Sequence, residues 1–318
     1  MPLVLASNDR IVNDRYHWKD VTGVQYHYPN SYRNLIRPGE RFIYYRGVRR
    51  ANGARGQAEY FGLGSVGDVW RDTDIPPDTP KKNWAWYCEI EDYVPFASPV
   101  PAKLDGILFE TLKSNDWRNG VRKLSEDVFN HILATAGVPT TADELDLPPA
   151  VLALFDVGAV EIREVAGSLM SPPSKRLADG GDPHSGFKAR RSPIAKAIGD
   201  RAEEIIFRYI RETVAGATAV RHVAADGETP GWDIEYQDAN GELNAVEVKA
   251  ASGSAFANFE LTQGELNAAR RLRRLYWVYL LADCLSSNGK LERIQDPAAL
   301  LDAGRLKAEP IAWRIWRL

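Results

Sequence analysis

A chain of 318 residues, 44% hydrophobic and 26% charged, has the composition of a globular protein and the length of about two domains. Its formal net charge of −3 gives no global pull toward nucleic acid, so any nucleic-acid surface has to come from local basic patches. Two distant cysteines, Cys88 and Cys284, and five scattered histidines exclude a zinc finger or a Cys/His nuclease cluster; no run nears the ~18 apolar residues of a membrane span, and "MPLVLASNDR" lacks the basic and long apolar regions of a secretory signal, so a reducing cytoplasm is the expected compartment.

The first hundred residues are β-rich and aromatic. "ERFIYYRG" (40–47), "AEYFGLGSVGDVW" (58–70) and "WAWYCEIEDYVPF" (84–96) read as strands between turn residues. Gly62, Gly64 and Gly67 suit a bent or bulged strand in a small barrel. From Val121 the texture becomes helical. "VRKLSEDVFNHILATAG" places Leu124, Val128 and Ile132 at helical spacing, with Ser125 as cap and Gly137 as terminator, and "TADELDLPPAVLALFDVG" reads as a further short helical pair. "SPPSKRLADGGDPHSGFKARRSP" (171–193) has linker composition.

Beyond it, "PIAKAIGDRAEEIIFRYIRETV" predicts an amphipathic helix with Ile194, Ile198, Ile205, Tyr209 and Ile210 on one side, followed by a strand near "AVRHVAA". "GWDIEYQDANGELNAVEVKA" (231–250) predicts a β-hairpin turning at Asn240-Gly241. Next comes a helix in "FELTQGELNAARRLRRL" with Thr262 and Glu265 at capping-box spacing, then a buried strand, "YWVYLLA".

The hairpin register decides whether three polar residues converge. A two-residue turn pairs Asp233 with Val248 and turns its side chain away from Glu247 and Lys249. A three-residue loop, Ala239-Asn240-Gly241, with Gly241 left-handed, sets Asp233 opposite Glu247 at about 4.5–5.5 Å between Cβ atoms, with Lys249 on the same face. Glycine at the last loop position favours the second. Two carboxylates so placed repel unless a cation lies between them, and Mg²⁺ suits oxygen ligands. A solvent-facing ribbon with alternating charges gives the same pattern without a site.

The order of these features resembles the PD-(D/E)xK nuclease superfamily, and within it the NO VEIN C-terminal domain, a relative of Mrr-type restriction nucleases. The likeness runs from "IGDRAEEIIFRYI" through "TPGWDIEY" and "NAVEVKA" to "FELTQGELNAA"; Ala202 stands where the second glycine of the family's helix is usual. The resemblance implies Asp233 and Glu247 as metal ligands, Lys249 as the residue that positions the attacking water and stabilises the transition state, and Glu203 as an accessory ligand or orienting group. Gln263 lies where related nucleases place a polar residue reaching into the site. Mg²⁺, with Mn²⁺ as substitute, is the implied cofactor.

Residues 15–105 are similar to an EVE-type domain of the PUA superfamily. The likeness rests on Pro38-Gly39-Glu40 before an aromatic strand, a glycine-bearing strand, and Phe96-x-x-Pro99-Val100. That resemblance implies a reader of modified bases, which flips a base into an aromatic pocket. Tyr26, Tyr28, Asn30, Ser31, Tyr32, Tyr45, Trp84 and Trp86 are the pocket candidates, and Arg46, Arg49, Arg50 and Arg55 the phosphate contacts; barrel core and solvated surface are the alternatives for these same residues.

Together these readings give an α+β multidomain chain. A PUA/EVE-like β-barrel with helices spans 1–120, a helical spacer 121–175, a linker 176–193 and an α/β PD-(D/E)xK nuclease domain 194–318. The implied activity is a modification-dependent, prokaryotic DNA restriction endonuclease, acting as a homodimer on double-stranded DNA that carries a modified cytosine. A sequence-specific restriction enzyme and an inactive nucleic-acid-binding adaptor are the alternatives.

Overall fold

The computed structural model describes residues 1–7, 18–49, 54–104, 106–112, 116–138, 160–170, 193–256 and 258–309. The chain is mixed α+β, with curled sheets and few helices. It divides into two compact units: Met1–Asp156, Pro172–Gly181 and Ser252–Ala257 form the first, and Val157–Ser171, Asp182–Ala251 and Asn258–Leu318 the second.

The first unit is built on β1 (Leu3–Ala6), β2 (Gln25–Pro29), β3 (Arg41–Arg46), β4 (Glu59–Arg71) and β5 (Ala85–Pro101), with a two-stranded ribbon of β6 (Lys103–Leu104) and β7 (Ile107–Leu108), then β8 (Val121–Lys123) and α1 (Glu126–Thr135). The main sheet has the order β2-β5-β4-β3-β1-β8, with β1 parallel to β3 and the other pairs antiparallel. The β4–β5 ladder shifts register at three places between Tyr60 and Val69, which is the bulged bending the glycine-bearing strand predicts. Curling brings the sheet's two edges together. From edge strand β2, the Tyr26 hydroxyl reaches the Gly120 carbonyl at 3.0 Å, beside the opposite edge strand, and the Gly120 N–H donates to the Tyr32 hydroxyl at 3.1 Å.

Both faces of this sheet are covered. Leu3, Leu5, Tyr26, Tyr28, Phe42 and Tyr44 fill one core, while Val4, Ile43, Tyr45 and Tyr60 fill another, with Phe129, Ile132 and Leu133 of α1. Ser125 caps α1 by accepting the Val128 N–H, and Gly137 leaves it with φ +73°. The boundary expected at residue 120 therefore falls inside a folded unit, because β8 pairs with β1 and α1 lies on the sheet. The expected spacer is divided: β9 (Glu161–Glu164) pairs with a strand of the second unit. The helical pair expected at 141–158 and the linker at 176–193 lie almost wholly outside the described residues.

In the second unit, α2 (Pro193–Thr213) is followed by β10 (Thr218–Arg221), β11 (Ile234–Gln237), β12 (Leu243–Ala250), α3 (Gln263–Leu272), β13 (Tyr276–Ala282), β14 (Asn288–Gln295) and α4 (Pro297–Asp302). The sheet order is β10-β11-β12-β13-β14-β9, and α3 is the crossover between the parallel strands β12 and β13. On α2, Ala202, Ile205, Ile206, Tyr209 and Ile210 are buried, the i, i+3, i+4, i+7, i+8 stripe of a core-facing helix. The Tyr209 hydroxyl ties the helix to Glu164 of β9. Strand β13 is buried along nearly its whole length, as a central strand with parallel pairing requires. No helix among the described residues is long and apolar enough to cross a membrane.

The hairpin adopts the three-residue loop. Ile234 pairs with Val246 and Gln237 with Leu243; the Asp238 N–H donates to the Glu242 carbonyl at 3.0 Å and the Gly241 N–H to the Asp238 carbonyl at 2.9 Å. Gly241 has φ +76°, and the Asp238 side chain accepts the Asn240 and Glu242 N–H groups inside the turn. A side chain at 241 would meet nothing within 4 Å, so conformational preference alone sets the cost of replacing this glycine. Gly241→Asn is expected to lower stability by less than about 1 kcal/mol and Gly241→Val by about 2 kcal/mol or more. Chemical denaturation of the two variants checks this; equal losses would show that the left-handed turn does not hold the register.

Candidate metal and phosphate site

Strand β12 is buried on both faces, yet it carries Glu247 and Lys249 in its second half. Glu247 is 3% exposed. Its carboxylate Oε1 lies 2.6 Å from Lys249 Nζ, and the same ammonium lies 3.2 Å from Glu265 Oε2 at the start of α3. Asp233 sits one residue before β11, where the ladder turns. Its N–H donates to the Val246 carbonyl at 3.0 Å, and its Oδ2 accepts the Val248 N–H at 2.8 Å. The aspartate thus spans the backbone on both sides of Glu247. The register brings Asp233, Glu247 and Lys249 together as the three-residue loop predicts.

Gly231 is what lets α3 close over this end of the hairpin. Its φ is +100°, and a Cβ there would meet the Gly264 carbonyl oxygen at 2.9 Å and the Ala268 Cβ at 3.0 Å. Its own carbonyl accepts the Tyr276 hydroxyl at 2.8 Å. The start of α3 is fixed in turn by a full capping box: the Thr262 hydroxyl accepts the Glu265 N–H, and the Glu265 carboxylate accepts the Thr262 N–H.

On α2, Glu203 Oε2 lies 2.9 Å from His222 Nε2, just after β10, and the His222 ring stacks on Phe207 at 5.7 Å. Glu203 and Glu265 both act on the Asp233 charge, so α2, β12 and α3 all face one electrostatic locus. Gln263, expected to reach into the site, instead donates to Asn267 at 2.8 Å along the exposed face of α3. Two residues further along, about half a turn around the helix, Glu265 takes the inward place. Sequence reasoning missed His222 and the second contact of Glu265. The capping-box spacing marked Glu265, but only as a helix start.

The electrostatics record an excess of negative charge. Burial, with Glu203 and Glu265 adding to it, raises the Asp233 pKa to about 6 against the Val248 N–H and Lys249. Glu247 is pushed up to about 9, by burial first, with Asp233 and Glu265 adding and Lys249 opposing. Burial disfavours the Lys249 ammonium, but Glu247 and Glu265 outweigh it and its pKa is raised. His222 is raised chiefly by its hydrogen bond to Glu203.

These donors fit a hard divalent cation: they are carboxylate oxygens, burial raises the proton affinity of both Asp233 and Glu247, and the nearby cationic charge falls short of the anionic. Among the described residues no group of three His, Cys, Asp or Glu side chains converges as a ready-made cluster. Mg²⁺ keeps several waters and is commonly held through one or two carboxylates, so Asp233 and Glu247 are a sufficient protein set.

The N-terminal candidates separate into two groups. Tyr26, Tyr28 and Tyr45 are core residues, 2%, 1% and 7% exposed, a correction to their expected place in a pocket. The physical reason is that the sheet is covered on both faces, so alternation puts neither set of rings in solvent. The Tyr32 hydroxyl is engaged by Gly120, Ser31 is exposed, and Arg46 is paired with Glu59 at 2.6 Å over the Phe61 ring. Arg49 and Arg55 face each other across a β-bridge, and Arg50 lies outside the described residues. The second group does come together. Trp86 donates to the Asn30 side chain at 2.8 Å, its ring lies under Arg33 at 4.4 Å, and Trp84 lies under Arg71 at 4.8 Å and Lys81 at 5.9 Å.

In comparison with known proteins, residues 202–294 match the family model described as protein NO VEIN, C-terminal. The match contains the hairpin, Glu203, Asp233, Glu247, Lys249 and Glu265. No curated protein and no solved structure matches the chain.

The raised carboxyls set a pH dependence. A group whose folded pKa exceeds its unfolded value contributes stability below the unfolded pKa, near 4, and loses it as pH rises through the folded value. Without divalent cation, the melting temperature of the second unit is expected to fall as pH passes about 6 and approaches about 9, and the rise produced by Mg²⁺ to grow over the same interval. Asp233→Asn should stabilise the cation-free protein at pH 8 by about 1–3 kcal/mol and remove most of the Mg²⁺ response. Calorimetry in EDTA and in Mg²⁺ tests both; a Mg²⁺ response independent of pH, or intact in Asp233→Asn, would count against the assignment.

Proposed function

We propose that the second unit is a PD-(D/E)xK-type nuclease domain that hydrolyses DNA phosphodiesters with Mg²⁺, or Mn²⁺ in its place. The observation that carries this is the buried triple on one hairpin, Asp233, Glu247 and Lys249, inside the segment that matches the NO VEIN C-terminal family. Asp233 and Glu247 are the residues that would hold the cation, with Glu203 as an outer carboxylate kept in place by His222. The cation would supply Lewis acidity toward a phosphate oxygen and an acidified water.

The chain's own contributions follow from position. Burial of Glu247 and partial burial of Asp233 exclude bulk water, so a charge placed there acts through a low dielectric. Lys249 carries a fixed positive charge on the same strand face as Glu247, where the pentacoordinate phosphate gathers negative charge. An ammonium held by ion pairs needs little reorganisation as that charge develops.

For the first unit we propose an EVE-like, PUA-superfamily reader of a modified base, and for the whole chain a modification-dependent restriction endonuclease acting as a homodimer in a prokaryotic cytoplasm. The support is the Trp84–Trp86 cluster: two half-buried indoles with Asn30, Arg33, Arg71 and Lys81 around them combine stacking faces, an amide for a base edge and cations for phosphate.

Incubation with Mg²⁺ and matched plasmids, unmodified or carrying 5-methylcytosine or 5-hydroxymethylcytosine, tests the proposal. Cleavage confined to modified DNA is expected. Lys249→Ala and Glu247→Gln should each lower the rate at least ~100-fold while leaving DNA binding in Ca²⁺ intact. Trp86→Ala should weaken binding of modified DNA by about 1–3 kcal/mol. Equal cutting of all plasmids at fixed sites would make the first unit a sequence reader. Absence of cutting, with Lys249→Ala binding as the wild type does, would make the protein an adaptor.

A further inference from the structure

We infer that Glu265 is a positioning residue for Lys249, which it holds beside the cation site while Glu247 is occupied as a ligand; the inference rests on the reading of Asp233 and Glu247 as cation ligands. Lys249 has two anionic partners, Glu247 Oε1 at 2.6 Å and Glu265 Oε2 at 3.2 Å. They are not equivalent. Glu247 belongs to the pair that would face the cation, so once it turns its charge to the metal it no longer neutralises the lysine. A divalent cation and an ammonium a few ångströms apart repel, and lysine has a flexible four-carbon stem on which to leave. Among the described residues, Glu265 is the remaining carboxylate in contact with that ammonium.

The geometry of Glu265 suits such an anchor. One oxygen, Oε2, takes both the Lys249 ammonium and the Thr262 N–H, the latter at 2.8 Å. The Glu265 N–H in turn donates to the Thr262 hydroxyl at 3.3 Å. The carboxylate is therefore tied to the helix terminus and not left on a free side chain. That terminus is seated against Gly231, two residues before Asp233. A capping-box glutamate serving only its helix needs no second partner; here the side chain is 15% exposed and faces a lysine that is 12% exposed.

Glu265→Gln separates the two roles. Glutamine at this position preserves the capping box but carries no charge. The measurement is the rate of Lys249 acetylation by acetic anhydride, read by peptide mass spectrometry on the full-length protein with and without saturating Mg²⁺. Wild type is expected to protect Lys249 under both conditions. Glu265→Gln should protect it without Mg²⁺, where Glu247 still pairs with it, and expose it with Mg²⁺ by at least about tenfold, the size of one lost charge-assisted hydrogen bond. Single-turnover cleavage by Glu265→Gln should fall at least about tenfold at unchanged DNA affinity in Ca²⁺, and the substitution should add no further loss in a Lys249→Ala background. Lys249 equally protected in wild type and Glu265→Gln with Mg²⁺ overturns the inference, whether or not DNA is cut. The Mg²⁺-dependent exposure in a protein that cuts no DNA supports the anchor and removes the nuclease proposal.

Discussion

Two carboxylates set against each other on a buried β-ribbon are the constraint on which the second unit turns. Neither Asp233 nor Glu247 can be hydrated as it would be in the unfolded chain; Asp233 and Glu265 raise the proton affinity of Glu247, and Glu203 and Glu265 raise that of Asp233. The surroundings are arranged to keep this arrangement in being. Gly241 sets the register that brings the pair together, the Val248 N–H holds one carboxylate, and Lys249 holds the other. Gly231 admits the start of α3, whose cap supplies Glu265 as a further anion. A fold selected for stability alone would replace this cluster with apolar side chains, since buried ion pairs rarely repay their desolvation. Retaining it is intelligible if the negative excess has a positive occupant.

That surplus also explains why Lys249 is doubly paired. A single lysine between two glutamates is held from two directions, one on its own strand and one on a helix. Losing either partner leaves it oriented, which a single ion pair would not. Glu203 and His222 form a second pair at the margin of the same locus, and stacking on Phe207, four residues along α2 from Glu203, steadies the imidazole. The site is thus drawn from one hairpin and two helices, and Gly231 allows the close backbone approach that brings α3 to it.

Much of this unit was legible because its signals are local. The parity of the hairpin loop, the Ile205, Tyr209 and Ile210 part of the α2 stripe, the Thr262–Glu265 cap and the unbroken apolar run of β13 each follow from residue type and spacing; Ala202 and Ile206 complete the stripe in the structure, where Ile198 is only half-buried. Other features were hidden for physical reasons. His222 becomes a neighbour of Glu203 only through tertiary packing, and no spacing rule connects them. Glu265 was already explained by its cap, so nothing in the sequence called for a second contact. In the first unit, alternation failed to separate core from pocket because both faces of the sheet are covered; Tyr28 and Tyr45 occupy opposite cores. The edge strands β8 and β9 have three and four residues, too few to show a period, which is why the segment from 121 to 175 read as a spacer.

The Trp84–Trp86 cluster of the first unit follows a different logic from the buried tyrosines. Its indoles are capped by guanidinium groups and an ammonium, contacts that contribute only about 0.5–1 kcal/mol each where partly solvated. A nucleobase stacking on such a ring gains about 1–3 kcal/mol. Under the proposed reader function, displacing Arg33 or Arg71 from the ring would cost less than the base would gain, and the displaced cations would be the candidate phosphate contacts. Trp86 is further held by Asn30, whose amide oxygen accepts the indole N–H. A base bound at this cluster, as proposed, would replace only these surface cations, whereas exposing Tyr28 or Tyr45 would mean opening a core. That difference in cost, and not aromatic content, is what singles out Trp84 and Trp86 among the rings of this sheet.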